Sequence, residues 1–368
     1  KELLCIFQDS EGYMWYGTVN GLCRDDGYHV KVFRSDIETP GLLEDNLVEC
    51  IAEDKKGNIW FGTDKGVYIL DKSDYSVHPM DRERLKNIPV MYLYATSDGY
   101  MWLSYRSILA KYDINGQLVK EYPLRNKYGR TTISGFCESR NHEIIISVWN
   151  GRVYHLDKEK DEFVPYPDKM RRQNPTVMVQ DNEQDYFWLA TWGDGVVRFD
   201  PSAPEDSMFV YSEIPVNAAG EEDGVILSLV QDDKLGYIWL TTGHDFMSLQ
   251  IQPDKTLKQL KFQTGLLPVN HMLVEVLKGR GCLWVSAFDR PSFIVHLMDN
   301  MTKDYALPAL ADRVNRSPAV MALCDDGDGM MWMMQERTGL VLYDLKQDKV
   351  KILSLIHISE PTRLRRIS

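Results

Sequence analysis

The sequence lacks any run of about 18 consecutive apolar residues, which is roughly what a membrane-spanning helix requires. It also lacks a surplus of positive charge: 42 Lys and Arg residues against 54 Asp and Glu residues give a net charge of −12. A chain of this charge is not expected to bind nucleic acid as its main partner. We therefore predict neither a transmembrane helix nor a nucleic-acid interface.

Short motifs of catalysis and cofactor binding are absent as well. The sequence has no GxSxG nucleophile elbow, no P-loop, no HExxH pair and no complete EF-hand loop. The acidic stretch CDDGDG at residues 324–329 is interpreted as a turn, because the later ligand positions of a calcium loop are missing. We predict no catalytic residue, no metal and no cofactor.

Cysteine is scarce and shows no spacing typical of a metal site. The chain has six cysteines without a CxxC pair, and most of them fall in predicted strands. Buried small apolar side chains are favoured over a disulfide framework. The six are Cys5, Cys23, Cys50, Cys137, Cys282 and Cys324.

One phrase recurs through the chain and is clearest as GNIWFGTDKGVYILD at residues 57–71. Its copies are anchored by a tryptophan, or once by Ile145, at spacings of 42 to 51 residues. A repeat of roughly 40 to 50 residues with strand-like contents is typical of β-propeller blades. The anchoring tryptophans are Trp15, Trp60, Trp102, Trp188, Trp239, Trp284 and Trp332.

The second copy shows how one repeat becomes one blade. Strands are predicted at residues 47–54, 58–63, 67–71 and 75–80, with a tight turn between the first two. A buried tryptophan covers about 150 to 250 Å², so one in each repeat is expected to fill the space between adjacent sheets. The predicted fold class is all-β, a β-propeller of four-stranded antiparallel blades.

The pattern D-x-x-G-x-(I/M)-W-(F/Y)-G-T-x-x-G-(L/V) is strongest in the first two repeats. It resembles the regulator-propeller repeat of hybrid two-component sensors, and residues 12–36 look like the first repeat of that family. The resemblance extends over residues 1 to about 354. Some repeats depart from it: the fourth lacks the tryptophan, and the seventh has Lys278 in place of the turn aspartate.

This resemblance implies the sensor region of an inner-membrane histidine kinase, placed in the periplasm and regulating glycan utilisation. The implied ligand is an oligosaccharide. The implied partners are a following propeller, a β-sandwich and the kinase of the same polypeptide, with a homodimer as the assembled state. Because the sequence starts at a first strand and shows no signal peptide, we expect an internal fragment. The resemblance implies that this fragment has no enzymatic activity of its own.

Eight repeats must be reconciled with a family whose propellers close at seven blades. We predict a seven-bladed propeller over residues 1–310 and an eighth repeat at residues 311–354 that begins a second propeller. A single eight-bladed propeller is the alternative. Residues 355–368 abandon the repeat and are expected to be a tail that is not native.

Two other function classes stay open on the sequence alone. A propeller can serve as a protein-interaction scaffold without a small-molecule ligand, because fold does not decide function. A propeller enzyme, such as a glycan lyase or hydrolase, is the third alternative. Paired carboxylates for such an enzyme cannot be selected without geometry.

Two tryptophans lie outside the repeat position, Trp149 and Trp192, and both fall in the turn after a second strand. These turns and the links between blades are expected on one face of the propeller, where binding loops are usually found. Aromatic rings can stack on a pyranose, and guanidinium groups bind acids. We therefore predict a ligand site near the propeller axis. Its residues are Arg106, Trp149, Trp192, His244, Asp245, Arg290 and Arg337, with Asp289 beside Arg290.

The links between blades are rich in basic residues although the whole chain is acidic. This local exception favours an acidic glycan as ligand, and charged but merely solvated loops are the alternative. The basic residues are Arg82, Arg84, Lys86, Arg125, Lys127, Arg130, Lys169, Arg171, Arg172, Arg313 and Arg316.

Overall fold

The computed structural model describes residues 3–37, 41–126, 129–167, 174–217, 220–232, 236–242 and 245–260, together with seven strands between residues 273 and 353. The chain divides into two compact units, Lys1–Asp299 and Asn300–Ser368. Each unit is built from antiparallel sheets whose strands are hydrogen-bonded in chain order.

The first three sheets of the first unit have four strands each, and a short helix lies in the link before the third. Sheet one consists of β1 (Leu3–Gln8), β2 (Met14–Thr18), β3 (Gly21–Asp25) and β4 (Val30–Phe33). Sheet two consists of β5 (Val48–Glu53), β6 (Ile59–Thr63), β7 (Gly66–Leu70) and β8 (Val77–Met80), and is followed by α1 (Arg82–Leu85). Sheet three consists of β9 (Val90–Ala95), β10 (Met101–Tyr105), β11 (Ile108–Tyr112) and β12 (Leu118–Pro123).

A two-stranded ribbon, β13 (Arg125–Asn126) and β14 (Gly129–Arg130), precedes sheet four. Sheet four consists of β15 (Ile133–Glu138), β16 (Ile144–Val148), β17 (Val153–Asp157) and β18 (Glu162–Pro165). Sheet five consists of β19 (Pro175–Gln180), β20 (Phe187–Thr191), β21 (Val196–Phe199) and β22 (Phe209–Tyr211), with a 3-10 turn at Glu205–Ser207.

Sheet six consists of β23 (Ile226–Gln231), β24 (Tyr237–Thr242), β25 (Phe246–Ile251) and β26 (Leu257–Gln259). Sheet seven has three described strands, β27 (Leu273–Lys278), β28 (Cys282–Ala287) and β29 (Phe293–His296). In the second unit, one sheet is formed by β30 (Val320–Asp325), β31 (Met330–Gln335), β32 (Gly339–Asp344) and β33 (Lys349–Leu353). The predicted strands of the second repeat coincide with β5 to β8, so the prediction of four antiparallel strands in a repeat is confirmed.

Within the first unit, the first strands of successive sheets lie against one another, with β9 and β15 joined by the stacked rings of Tyr94 and Phe136, and β1 contacts β27 and β28 of sheet seven. A ring of seven sheets requires such a contact. The number of blades and the division at residues 310 and 354 stay predictions, and residues 355–368 lie outside the described residues.

The repeat tryptophans lie between neighbouring sheets. Trp15, Trp60, Trp102 and Trp188 are fully buried, as is Ile145, which replaces the tryptophan in the fourth repeat. Trp60 packs in one cluster with Val90 and Leu103 of the next sheet. These five side chains are buried as the packing role requires, whereas Trp284 and Trp332 are half-buried.

Each of four repeat tryptophans also donates its indole N–H to the aspartate that opens the turn between the first and second strands of its sheet. The distance from Nε1 to the carboxylate Oδ2 is 2.9 Å in every case, and the pairs are Trp15 with Asp9, Trp60 with Asp54, Trp188 with Asp181, and Trp239 with Asp232. In the second repeat the other oxygen, Oδ1 of Asp54, accepts the backbone N–H groups of Lys56 and Asn58. One carboxylate therefore shapes the turn and satisfies the buried indole.

The third repeat breaks this arrangement, because Thr96 occupies the aspartate position. The Thr96 hydroxyl contacts Asp98 Oδ1 and the carbonyl of Tyr100, and the indole N–H of Trp102 has no acceptor among the described residues. An unsatisfied buried donor costs about 1 to 3 kcal/mol. Sheet three is thus the sheet in which a substitution at the aspartate position can increase the stability.

We predict that Thr96→Asp raises the unfolding free energy by about 1 kcal/mol, because the new carboxylate would accept the Trp102 indole N–H. Thermal unfolding would show a midpoint higher by a few degrees, and hydrogen exchange at Nε1 of Trp102 would slow. Thr96→Ala is the matched control, and we expect no gain from it. An unchanged or lower midpoint for Thr96→Asp would contradict this explanation.

The G-T pair at the end of the second strand has two separate roles. A Cβ atom on Gly17 or Gly62 would lie within 3.0 Å of a carbonyl oxygen of the next sheet, that of Val48 or Val90. The hydroxyl of Thr63 accepts the backbone N–H of Lys65 and donates to the carbonyl of Gly66 across the turn. Glycine thus permits the close approach of adjacent sheets, and threonine closes the turn.

A second set of contacts joins successive sheets at the turns between the first and second strands. The residue after the turn's first position donates its backbone N–H to the last side chain of the next sheet's first strand. The pairs are Ser10 with Glu53, Ser97 with Glu138, Arg140 with Gln180, and Asn182 with Gln231, at 2.6 to 2.9 Å. We call these contacts the turn joints.

Each of the six cysteines carries a thiol that is not part of a disulfide. Cys23 and Cys50 are buried, Cys5, Cys137 and Cys282 are half-buried, and Cys324 is exposed. Burial raises the pKa of the Cys137 thiol to about 11. The expectation of small apolar side chains holds for the buried thiols and is wrong for the exposed Cys324.

Candidate functional site

The turns after the second strands are hydrogen-bonded to the links that lead into or out of the sheets. Backbone N–H groups join Gly21 to the carbonyl of Asn46, Leu124 to that of Ser107, Trp149 to that of Thr132, and Trp192 to that of Asn174, at 2.6 to 3.0 Å. These turns and the links bonded to them form one surface, which we call the link face. Its turns lie at residues 19–20, 64–65, 106–107, 149–152 and 192–195. Of the predicted site residues, Arg106, Trp149 and Trp192 belong to it.

Trp149 and Trp192 are in contact on the link face. Their ring centroids lie 5.7 Å apart with an interplanar angle of 85°, an edge-to-face arrangement. The Trp192 side chain is 46% exposed, and Trp149 is half-buried. The two off-repeat tryptophans therefore form one aromatic surface across sheets four and five, and nearly half of the Trp192 side chain is open to solvent.

The backbone around Trp192 is held by the link before sheet six. Trp192 forms a β-bridge with Val225, and the N–H groups of Gly193 and Gly195 donate to the carbonyl of Gly224 at 2.8 and 3.1 Å. A side chain on Gly224 would collide with the carbonyl of Gly193. This close approach fixes the turn that presents Trp192.

Trp149 is held by the link before sheet four. Its backbone N–H donates to the carbonyl of Thr132 at 3.0 Å, and its own carbonyl accepts the Thr131 hydroxyl at 2.6 Å. Both rings are thus carried on turns fixed by hydrogen bonds, which lowers the entropy that a ligand would have to remove on binding.

Arg106 lies in the turn of sheet three, is exposed and has a left-handed backbone with φ of 54°. Within the described part of the chain it makes no ring contact with either tryptophan. The neighbouring Ser107 accepts the N–H of Leu124 at 2.7 Å, so the turn adjoins the ribbon of β13 and β14. That Arg106 lines the same site as the tryptophans stays a prediction.

Asp245 is buried, and its backbone closes the turn of sheet six through two hydrogen bonds with the Thr242 hydroxyl. This is the position of the G-T threonine, so the backbone of Asp245 serves the turn. The remaining predicted site residues, His244, Arg290 and Arg337, lie outside the described residues, as does Asp289.

The basic links differ in how their charges are used. Arg82 pairs with Glu44, and Arg84 pairs with both Asp81 and Glu121 at 3.3 Å. These ion pairs neutralise part of the charge that the sequence places on the link before sheet three. Lys127, Lys169, Arg171, Arg172, Arg313 and Arg316 lie outside the described residues.

Every first strand carries a β-bulge at its second residue, which the sequence pattern did not reveal. In sheet two, Val48 pairs with Thr63 and Cys50 with Gly62, so Glu49 has no partner in the ladder. Burial, and next the nearby Asp64, raise the pKa of the Glu49 carboxyl. Bulges re-aim side chains at the rims of barrels. The other bulged residues in the first six sheets are Leu4, Met91, Ser134, Thr176 and Leu227.

The described residues hold neither a metal-binding cluster nor a membrane-spanning helix. No cluster of three or more His, Cys, Asp or Glu side chains there could hold a metal ion. Nor does that part of the chain include a helix long and apolar enough to cross a bilayer.

Residues 42–65 match the family model described as "Two component regulator propeller". The matched segment runs from the link before sheet two through β5 and β6 to the following turn. It contains Asp54, Trp60, Gly62 and Thr63, whose contacts join the turn, the core and the next sheet. The resemblance to the regulator-propeller repeat is confirmed for this segment.

Solved structures share the fold at low sequence identity. The extracellular domain assigned to a one-component system of B. thetaiotaomicron is 19% identical, with a TM-score of 0.61, over 80% of this chain and 40% of that domain. The extracellular domain assigned to a hybrid two-component system of the same organism is 16% identical, with a TM-score of 0.61, over 96% of this chain and 47% of that domain. This chain therefore spans less than half the length of either domain.

Virginiamycin B lyase from Staphylococcus aureus is also similar, with 12% identity and a TM-score of 0.61 over 80% of this chain and 94% of the lyase. At such identities the likeness shows the fold, and the β-propeller architecture is confirmed. Among curated proteins, none matches the sequence.

Proposed function

We propose that this chain is the extracytoplasmic ligand-sensing region of a hybrid two-component system and that it recognises an oligosaccharide at the Trp149–Trp192 surface. The observation that carries the proposal is the contact between the two off-repeat tryptophans on the link face. Packing of the repeat does not require either ring, because the buried position of each blade is already filled by Ile145 or Trp188.

The chemistry of the pair suits a sugar. An exposed indole offers an apolar face to the C–H groups of a pyranose, and a second ring at 85° gives the surface a corner against which the sugar can be oriented. The regulator-propeller match at residues 42–65 and the fold shared with extracellular sensor domains support a sensing role.

The rest of the proposal follows the same resemblance. The chain would lie in the periplasm and act without enzymatic activity of its own. It would pass the binding signal through a following propeller and a β-sandwich to a histidine kinase, in a homodimer that regulates glycan utilisation. The lyase shares the propeller architecture, so fold alone does not separate sensor from enzyme.

Calorimetric titration of a panel of neutral and acidic oligosaccharides tests the proposal. In the double variant Trp149→Ala, Trp192→Ala, we expect the dissociation constant of the best ligand to rise at least about 30-fold, the size of an interface hot spot. Ligand-induced quenching of the intrinsic fluorescence should disappear. The thermal midpoint should fall by only a few degrees, because Trp192 is exposed and Trp149 half-buried.

Tyr28→Ala is the matched control, since Tyr28 is an aromatic residue that is 91% exposed on sheet one, away from the link face. It should bind as the wild type does. Unchanged affinity in the double variant would refute the site. Failure of the wild type to bind any oligosaccharide would refute the ligand class, and turnover of a bound sugar would refute the non-enzymatic role.

A further inference from the structure

The ribbon of β13 and β14 holds two arginines side by side. Arg125 pairs directly with Arg130 in this two-stranded sheet, and Asn126 pairs with Gly129. Directly opposed residues of an antiparallel pair project to the same side, with Cβ atoms about 4.5 to 5.5 Å apart, and like charges at such positions are destabilising. The ribbon thus keeps an arrangement that local stability disfavours, and such exceptions concentrate at functional sites.

Neither arginine is neutralised by the part of the chain that the structure describes. Both side chains are exposed, and neither has an ion-pair partner among the described residues. Arg82 and Arg84 on the preceding link show the opposite behaviour, because Glu44, Asp81 and Glu121 pair with them. Arg125 and Arg130 therefore differ from Arg82 and Arg84, because their exposed charges have no acidic partner among the described residues.

The ribbon is attached to the sheets on both sides. The carbonyl of Arg125 accepts the Tyr154 hydroxyl of sheet four at 3.2 Å, and the preceding Leu124 donates its N–H to Ser107 of sheet three at 2.7 Å. The two guanidinium groups therefore start from a fixed backbone, which makes a site on them directional.

The same ribbon leads directly to the aromatic surface. Thr131, which follows Arg130, donates its hydroxyl to the carbonyl of Trp149 at 2.6 Å, and Thr132 accepts the Trp149 N–H. The arginine pair and the tryptophan pair are thus neighbours on the link face. A sugar ring stacked on the indoles would bring its substituents within reach of the guanidinium groups.

We propose that Arg125 and Arg130 form an anion subsite for the ligand at Trp149 and Trp192, which makes that ligand an acidic saccharide. The inference rests on the proposed function. The group bound is a planar or tetrahedral oxyanion, the carboxylate of a uronic acid or a sulfate ester, because two guanidinium forks can each donate paired N–H groups to it. A neutral sugar would fill the aromatic part of the site and leave the arginines solvated.

The first experiment compares a uronic-acid oligosaccharide with the same oligosaccharide after reduction of its carboxylates to alcohols, and a sulfated oligosaccharide with its desulfated form. Wild-type protein should bind each acidic form at least about tenfold more tightly. Arg125→Gln, Arg130→Gln should remove this preference and leave the affinity for the neutral forms within about twofold. Which acidic form gains more identifies carboxylate or sulfate as the natural group.

The matched control is Lys65→Gln, Lys86→Gln, which removes the same charge from a turn and a link of sheet two on the same face. Neither lysine has an ion-pair partner among the described residues. If this control loses the preference for acidic ligands as fully as the arginine variant does, the effect is a general attraction of the link face, and the subsite is refuted.

A second measurement does not depend on any sugar. Inorganic sulfate is titrated into the wild-type protein while the Nε–Hε resonances of the arginines are followed by NMR, with circular dichroism confirming that each variant is folded. The resonances of Arg125 and Arg130 should shift together and saturate. No shift there overturns the anion subsite. Sulfate shifts without binding of any oligosaccharide would retain the subsite as an anion site and refute the proposed function.

Discussion

Replacing Gly62 by alanine is expected to lower the free energy of unfolding by about 3 kcal/mol, near the upper end of the usual cost of overpacking. The added Cβ would lie within 3.0 Å of both the Val90 carbonyl oxygen and Cys50 Sγ. Neither atom can retreat easily, because Val90 belongs to the first strand of sheet three and Cys50 to that of sheet two. Chemical denaturation followed by tryptophan fluorescence would measure the loss.

Sheet five provides the matched control, since Ala190 stands where Gly62 stands in sheet two, two residues after the repeat tryptophan. Ala190→Gly should cost only about 0.5 to 1 kcal/mol, the usual penalty of a glycine within a strand. If Gly62→Ala lowers the free energy of unfolding by no more than Ala190→Gly does, the G-T glycine is not required for the close spacing of sheets two and three.

Asp54→Ala is the second change with a large expected effect. It leaves the buried indole N–H of Trp60 without an acceptor and removes the bonds to the backbone N–H groups of Lys56 and Asn58. One unsatisfied buried donor costs about 1 to 3 kcal/mol and each bond to a charged group contributes about 1.5 to 3 kcal/mol. These contributions sum to at least about 4 kcal/mol, which is the loss that we expect to measure by chemical denaturation.

Asp54→Asn separates the two roles of the carboxylate. An amide has one oxygen and can accept from the turn or from the indole, so the loss should lie between that of Asp54→Ala and zero. The sign should be opposite in sheet three, where Thr96→Asp adds the same group. Equal effects for Asp54→Ala and Asp54→Asn would indicate that charge, and not the number of acceptors, determines the stability of the turn.

The sequence was sufficient to predict the repeat and the features that are local to one repeat. Trp60, Gly57 and the G-T pair recur at fixed spacing, because every blade must fill the same space and make the same turns. The role of Asp54 was only partly evident: the turn preference was visible, but the indole bond joins residues six positions apart and follows from the strand geometry.

The candidate site likewise has one part that the sequence predicts and another that it does not. That Trp149 and Trp192 occupy equivalent turns could be predicted from alignment with the repeat, and their contact depends on how sheets four and five are rotated against each other. The ribbon was not predicted, because two residues in each strand carry no periodicity. The acid partners of Arg82 and Arg84 were missed as well, since Glu44 and Glu121 are 38 and 37 residues away in sequence.

The turn joints have a direction along the chain: a backbone N–H of one repeat donates forward to the last side chain of the next repeat's first strand. A repeat whose turn supplies this N–H, and whose first strand ends in this side chain, donates to the repeat after it and accepts from the repeat before it. A gene segment of one such period, copied or deleted in phase, would leave matching ends on either side. Propellers built this way can change their number of blades by unequal recombination without first evolving a new interface.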